Sequence, residues 1–456
     1  MLLKRLSKKI TLLFLGDIFL MLFAQYLNDL LFLKFTPRPI PASSDMLFIT
    51  AIFCSIFYIF DLHDPNTNYK TLRFFTRFLI TIIISSGITA IGFYLKFSLE
   101  YGRLIFFSNV IAIGFLTYLW RLFLNRYFRK LTPDKKIISV GAGRAGLTMY
   151  QTLKGRKYYN VIGFLDDDEK KIGKVMGSPQ VIGNTNLMNN IVRNRETDIL
   201  ILAITHQKKP EIFKIMLEAK MKGIDVYDMP TFFEIVNGEV PVEHIKDSWF
   251  VYTEMSGVKI GIYNRHFKRI IDIFLSFSII IISLPITFLT ALLIELDSSG
   301  PIFYFQERLG LNNRIFKIIK FRSMEKNAET NGAVWAQEND SRVTRVGNII
   351  RKLRIDEIPQ CWNVLKGDMS FIGPRPEREE FIEKLNKKIP YYSLRHYVRP
   401  GITGWAQVNY PYGASEEDAL RKLQFDLYYI KNLSPLLDLH IFLKTIKVVL
   451  MSKGSR

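Results

Sequence analysis

Asp356 and Glu357 stand side by side in RIDEIPQCWNVLKGD, two residues ahead of Pro359. Pro359 suits the first turn of a helix that runs to about Lys366 and stops at Gly367, which puts both acids at its N-terminus. The positive end of a helix favours ionised carboxylate and draws in phosphate, while a carboxylate neighbour makes double ionisation costly and invites Mg2+ or a shared proton. An ionised Asp356 can attack phosphorus and divide one hard displacement into two easier ones through an aspartyl phosphate; Glu357 would then handle the proton or hold the metal. Simple helix capping is the other use of such a pair.

Upstream lies DSSGPIFYFQERLGLNNRIFKIIKFRSM. Gly300, Pro301 and Gly310 mark turns between the short runs IFYF and IFKIIKF, leaving Gln306, Arg308, Lys320, Arg322 and Ser323 as a polar group. Arg grips phosphate oxygens bidentately and Lys acts as a point charge, so these side chains suit a diphosphate. Taken singly, each also suits solvent or a lipid headgroup.

These groups need elements to hold them, and the nearest is apolar. Residues 270–296 form a long apolar stretch with Ser283 and Pro285 near its middle. Proline kinks a helix, and a serine hydroxyl helps satisfy the freed backbone. Arg265, Lys268 and Arg269 precede this stretch, and Arg308, Arg314, Lys317, Lys320 and Arg322 follow it. A helix that enters the bilayer, bends at Pro285 and leaves on the same side accommodates both basic flanks; a full crossing would place a basic domain outside.

Four further apolar segments, at about 10–33, 46–60, 74–95 and 104–125, come first, and all but the short second are near the ~20 residues needed to span. Asp17 and Asn28 break the first, so this helix is expected to face its neighbours rather than lipid. Lys4, Arg5, Lys8 and Lys9, then Lys70, Arg73 and Arg77, then Arg121, Arg126, Arg129, Lys130, Lys135 and Lys136 mark one side, the cytoplasmic one. The basic start with no small-residue cleavage site reads as a retained anchor. Of 456 residues 48% are hydrophobic and 36 are Phe, which points to membrane contact. The net charge of +20 fits anionic headgroups, phosphate substrates or nucleic acid. Nucleic acid is set aside, because it does not call for paired carboxylates beside a bent membrane segment. Cys54 and Cys361 form neither a disulfide framework nor a zinc pattern.

Between about 135 and 250 the pattern is α/β. IISVGAGRAG reads as a buried strand with Gly141, Gly143 and Gly146 opening a helix, and VIGFLDDDE as a second strand ending in Asp166. Residues 199–205 and 223–230 read as further strands. The glycines permit close approach to a pyrophosphate and Asp166 could hold a ribose hydroxyl, which would make this a nucleotide site. The alternative is a retained fold that pairs subunits or spaces domains.

The ordered set SLP, QERLG, KFRSM, RIDEIPQCWNVLKGDMSFIGPRPE and RPGITGWAQVN resembles the bacterial sugar transferase family, the monotopic polyprenyl-phosphate phosphoglycosyl transferases, over about 263–456. The whole chain is similar to the family's large form. The resemblance implies a four-helix transmembrane bundle over 1–130 and an α/β Rossmann-like domain over 131–250. A linker and re-entrant membrane helix would follow over 251–296, and an α/β-mixed catalytic domain over 297–456. It also implies transfer of a sugar 1-phosphate from a UDP-sugar to polyprenyl phosphate with Mg2+, at the cytoplasmic face of a bacterial inner membrane among membrane lipids, and hints at a homodimer. By motif position Asp356 is the nucleophile, Glu357 assists at the metal or the proton, and Arg375 of GPRPE binds phosphate. The charges of Lys320, Arg322 and Arg399 suit the donor diphosphate and the carrier phosphate. After Asn409 this chain reads Tyr410, Pro411, Tyr412, Gly413 where many relatives have Gly, a loop that would shape the sugar pocket. The competing class is a membrane-bound nucleotide-sugar dehydratase or epimerase, which needs a Tyr-x-x-x-Lys pair. Tyr150 and Lys154 have that spacing but lie on the first helix after the glycines, too early to meet a substrate beyond a nicotinamide.

Overall fold

The computed structural model describes residues 2–33, 43–63, 69, 71–95, 103–131, 134–156, 158–175, 179–204, 210–259, 261–325, 340, 342–410, 413 and 415–450. Lys70, Thr205, Pro411 and Tyr412 lie outside them, as do the side chains of Lys4, Arg5, Lys8, Lys9, Arg73, Arg129 and Lys130. The chain divides into two compact units, Met1–Met229 and Pro230–Arg456.

The first unit begins with α1 (Leu2–Leu33), α2 (Ser43–Ile59), α3 (Leu72–Leu95) and α4 (Arg103–Leu131). By length and apolarity α1, α3 and α4 can cross a membrane, whereas α2, with 17 residues, is shorter. Many of their apolar side chains face outward, as Phe19, Ile83 and Ile111 do, while Phe53 and Phe57 pack inside and Asp17 and Arg121 are wholly buried. Inside, both Asp17 oxygens accept from Arg121, at 2.8 and 2.7 Å, and His63 Nε2 lies 3.0 Å from Asp17 Oδ2. Asn28 Nδ2 donates to Ile105 O. The polar residues of α1 therefore face the bundle, as their position in an apolar segment requires. Arg121 does not mark the membrane boundary: α4 continues to Leu131, and the arginine sits within the bundle as the partner of Asp17. Gly16 lets α4 approach closely, since a Cβ there would overlap the Trp120 ring.

The unit continues as a five-stranded parallel sheet in the order β3-β2-β1-β4-β5, with β1 (Lys135–Val140), β2 (Tyr159–Leu165), β3 (Val181–Gly183), β4 (Ile199–Leu202) and β5 (Asp225–Asp228). Apolar runs such as ILIL, buried throughout, are what a sheet covered on both faces demands. Helices α5 (Arg144–Leu153), α6 (Met188–Asn194) and α7 (Pro210–Met221) connect the strands. Strand order and parallel pairing are those of a Rossmann-type half.

In the second unit, α8 (Met229–Asn237) and α9 (Asp247–Tyr252) precede α10 (Lys268–Asp297). Val240 and Val242 belong to the same core as Phe371, Leu423 and Leu427, so they pack with the second compact unit, which begins at Pro230. Helix α10 runs unbroken through Pro285, where Ser283 Oγ donates to Ile280 O and Thr287 Oγ1 to Leu284 O. Its outer face is apolar, with Phe274, Ile282 and Phe288 mostly exposed, and its inner face carries buried Ser276, Ser283 and Thr290.

Both ends of α10 are held by one domain. Near its start, Arg269 donates to the carbonyls of Val364 and Leu365 at 2.5 and 2.7 Å, and Asp272 Oδ1 accepts from Phe371 N–H at 2.9 Å. Near its end, Asp297 accepts from Val346 N–H at 3.0 Å and Arg322 donates to Ser298 O at 2.6 Å. A folded polar domain cannot straddle a bilayer, so a helix tied to it at both ends enters and leaves on one side.

The remaining elements are the antiparallel pair β6 (Phe303–Leu309) and β7 (Ile315–Phe321), α11 (Arg345–Lys352), α12 (Gln360–Lys366), β8 (Ser370–Ile372), α13 (Glu379–Lys388), β9 (Gly401–Thr403), α14 (Trp405–Asn409), α15 (Glu416–Asn432) and α16 (Pro435–Leu450). Strands β8 and β9 pair in parallel. Helix α15 opens with a capping box between Ser415 and Asp418.

Candidate active site

Asp356 and Glu357 lie on a single 3-10 turn, Ile355–Glu357, between α11 and α12. Arg354 reverses the chain into this turn at φ +56, a conformation costly for a residue with a Cβ and one that clusters at functional sites. Helix α12 starts only at Gln360, with Pro359 as its N-cap and Gly367, at φ +99, closing it. The acids thus precede the helix on a turn of their own, and their environment is set by neighbouring cations more than by the axis of a seven-residue helix.

Those cations come from three elements. Arg375 Nη2 donates to Glu357 Oε1 at 2.5 Å, Lys320 Nζ of β7 lies 3.9 Å from the same oxygen, and Arg354 Nη1 lies 3.7 Å from Oε2. Strand β7 is fixed on α12 through Asn363, whose Oδ1 accepts from Ile319 N–H and whose Nδ2 donates to Lys317 O. Lys320 is therefore presented to the acids by a doubly bonded strand. The loop carrying Arg375 is held by Leu309 N–H, which donates to Glu377 O, and by Arg308, which donates to Pro376 O.

The two carboxyls are driven apart. Burial and the adjacent Glu357 charge push Asp356 up to about 6, against the pull of Lys320, Arg375 and Arg351. Burial also opposes charge on Glu357, yet Arg375, Lys320 and Arg354 outweigh it and hold that carboxyl well below the usual range. Lys320 is lowered, chiefly by burial. A pair split in this way supplies one constantly charged acid and one that titrates near neutrality. Among the described residues, no hydrogen bond reaches the Asp356 carboxylate.

For a metal, the donor set here is these two carboxylates. Among the described residues no cluster of three or more His, Cys, Asp or Glu could hold an ion alone. Mg2+ is commonly held by one or two carboxylates together with substrate phosphates, so the pair fits Mg2+ shared with a phosphate ligand.

Arg322 is not among the cations around the acids. It is buried, and its guanidinium donates to Pro301 O, Ser298 O and Ser298 Oγ at 2.8, 2.6 and 2.9 Å, with Ile294 O at 3.4 Å. Its sequence position two residues from Lys320 suggested phosphate binding, but β7 ends at Phe321, and just beyond the strand Arg322 turns to cap the end of α10. Arg399 is exposed, with no ion pair among the described residues.

In the first unit, Gly141 adopts φ +113, and a Cβ at Gly146 would lie 2.2 Å from Gly141 O; Gly143 faces open space. Asp166 accepts from Ala142 N–H at 2.8 Å and from Lys171 at 3.1 Å. Burial opposes charge on Asp166, yet the amides of Asp168 and Ala142 and the Lys171 ammonium hold its carboxylate below the usual range, and the Ala142 bond ties it to the glycine turn.

The sequence reading passed over Arg354, Arg395, Asp426 and Asn363. Arg354 is three residues from Glu357, a spacing that could have flagged it. Arg395 donates to Arg375 O at 2.8 Å and pairs with buried Asp426 at 2.8 Å, a long-range contact without local signal.

Residues 263–452 match a family described as bacterial sugar transferase, and residues 59–230 one described as a CoA-binding domain. The chain is 44% identical over 243 residues to the UDP-N-acetylgalactosamine-undecaprenyl-phosphate N-acetylgalactosaminephosphotransferase of Aeromonas hydrophila, covering 53% of this chain and 56% of that one. It is 31% identical over 332 residues to the undecaprenyl-phosphate glucose phosphotransferase of Komagataeibacter xylinus, covering 70% and 60%. These matches thus span little more than half of each relative's length. With the UDP-glucose:undecaprenyl-phosphate glucose-1-phosphate transferase of Klebsiella pneumoniae the identity is 30% over 380 residues, 79% of this chain and 78% of the relative. A likeness that runs through the membrane helices, the parallel sheet and the acidic turn places this chain in the bacterial sugar transferase family.

Proposed function

We propose that this protein transfers a sugar 1-phosphate from a UDP-sugar to undecaprenyl phosphate or another polyprenyl phosphate, releasing UMP and opening exopolysaccharide, capsule or O-antigen assembly. The observation that carries this reading is the buried Asp356 carboxylate beside a Glu357 fixed by Arg375, Lys320 and Arg354.

In the first step an Asp356 oxygen attacks the donor's β-phosphorus, the bond from that phosphorus to the oxygen bridging to UMP breaks, and UMP leaves with the electron pair. In the second, a phosphate oxygen of the carrier attacks the same phosphorus, the Asp356 carboxylate is released and the polyprenyl-diphosphate sugar departs. Two displacements at one phosphorus need a nucleophile that is also a good leaving group, and a carboxylate is both. Arg375 and Lys320 offset charge on the diphosphate. Asp356 and Glu357 would hold Mg2+, which would supply further positive charge to the diphosphate.

The basic residues flanking the membrane segments support a reading in which this chemistry runs at the cytoplasmic face of the bacterial inner membrane. UDP-N-acetylgalactosamine is the first donor to test, because the 44%-identical relative carries that sugar in its name, and UDP-glucose is the second. The decisive assay measures UMP release from a panel of UDP-sugars with polyprenyl phosphate and Mg2+, for the native chain and Asp356→Asn. Release that survives the substitution, or its absence with every donor, overturns the proposal.

A further inference from the structure

Residues 231–262 fall between the two matched families, which cover 59–230 and 263–452. They are nonetheless built into the catalytic unit. Val240 and Val242 are buried in its core, and polar contacts follow the length of α15. Val240 N–H donates to Gln424 O at 3.0 Å, Glu239 pairs with Arg421 at 2.8 Å, and Glu234 pairs with Lys431 and accepts from Asn432 at 2.9 Å. The amides of Ser256 and Gly257 donate to the carbonyls of Lys431 and Ile430.

One contact leads on toward the acids. Trp405 Nε1–H donates to Gly238 O at 2.8 Å. Gly238 adopts φ +68, and a Cβ there would lie 3.2 Å from the Trp405 ring. Trp405 follows Gly404, which is packed so closely that a Cβ would lie 2.1 Å from Gly373 O. Gly373 N–H in turn donates to Thr403 O at 2.8 Å, and Gly401 N–H to Pro374 O at 2.9 Å. The residue after Pro374 is Arg375, the partner of Glu357. Backbone packed on backbone, with no side chain between to absorb movement, passes a displacement of Trp405 directly to the Arg375 loop.

We infer that the Gly238 carbonyl and the Trp405 indole form a clamp through which segment 231–262 positions Arg375 against Glu357. Both act as positioning residues, remote from the reacting atoms. Only the kinetic arm of the test rests on the function proposed above.

The full chain is compared with Trp405→Phe, which keeps an aromatic ring on Tyr428 and removes the N–H, with Gly238→Ala, and with the double variant. Each single substitution raises the donor KM about 3- to 10-fold, the scale of one hydrogen bond, with a smaller change in kcat. The double variant is no worse than the weaker single, because both break one contact. Hydrogen exchange at the Gly373 and Gly401 amides accelerates in each. If faster exchange stays confined to residues 404–409 and the donor KM is unmoved, or if the two effects multiply, the clamp is wrong. Should the native chain turn over no donor, the functional proposal fails alone, and exchange at Gly373 and Gly401 still decides the clamp. Should Gly238→Ala fail to fold, Trp405→Phe decides it by the same two readouts.

Discussion

Arg375 Nη2 donates to Glu357 Oε1 at 2.5 Å, and the same arginine's carbonyl accepts from Arg395 at 2.8 Å. The guanidinium is thereby fixed from behind while it fixes the acid in front. Replacing it by Ala leaves Glu357 with cations only at 3.7 and 3.9 Å, too far for a hydrogen bond. Loss of a charge-assisted bond and of a phosphate ligand together predicts a fall in transfer of about 100-fold, equivalent to about 3 kcal/mol. Arg375→Lys should recover part of it, since a point charge replaces a fork. A rate for Arg375→Ala within threefold of the native chain would remove Arg375 from the site.

The split of the two carboxyls predicts a pH profile. Asp356 must be ionised to attack, and burial together with the Glu357 charge raises its pKa to about 6. A raised carboxyl gains its proton at higher pH than usual, so kcat/KM falls as pH drops through about 6 rather than near 4. Arg375→Gln removes a charge that lowers both acids, and the acid limb should shift upward. A limb that stays near 4 would show that Asp356 is not the titrating group.

Much of this site is legible in the sequence because it is local. The Asp356–Glu357 pair, the Pro359 and Gly367 bounds of α12 and the glycine turn after β1 all depend on neighbours within a few residues. The partners of those groups are not local. Arg322 sits two residues from Lys320 and shares its charge, yet β7 ends at Phe321 and the chain beyond it brings Arg322 to the end of α10, which only the folded domain reveals. Arg121 looks like a boundary cation until α4 continues past it and Asp17, 104 residues away, meets it inside the bundle. The unit boundary at 229/230 is invisible for a related reason: Val240 and Val242 are ordinary apolar residues whose core neighbours lie more than a hundred positions on.

Arg322 offers a direct contrast between support and binding. As a cap on α10 it satisfies late carbonyls of the membrane helix, and removing a buried multiple donor costs about 1–3 kcal/mol. Arg322→Ala should lower the thermal midpoint and leave the donor KM unchanged in the folded fraction. A raised KM at unchanged stability would return Arg322 to the phosphate site.

Asp426 tests how the site is supported from the core. It is nearly fully buried on α15 and pairs with equally buried Arg395, which also donates to Tyr392 Oη at 2.7 Å and to the carbonyl of Arg375. Burial outweighs the arginine's charge and pushes the Asp426 carboxyl up to about 6, so the pair is no reservoir of stability in itself. Removing one member is another matter, because it strands a buried guanidinium without its directly paired carboxylate. Asp426→Ala should cost about 3–5 kcal/mol and take activity with it, whereas Asp426→Asn keeps an oxygen facing Arg395 and should lose clearly less of both. The comparison is read from the denaturation midpoint and from UMP release on the same samples. If Asp426→Ala is as stable as Asp426→Asn and equally active, Arg395 does not depend on this carboxylate, and the loop of Arg375 must be held by the glycine contacts with β9 and by the bonds from Leu309 and Arg308.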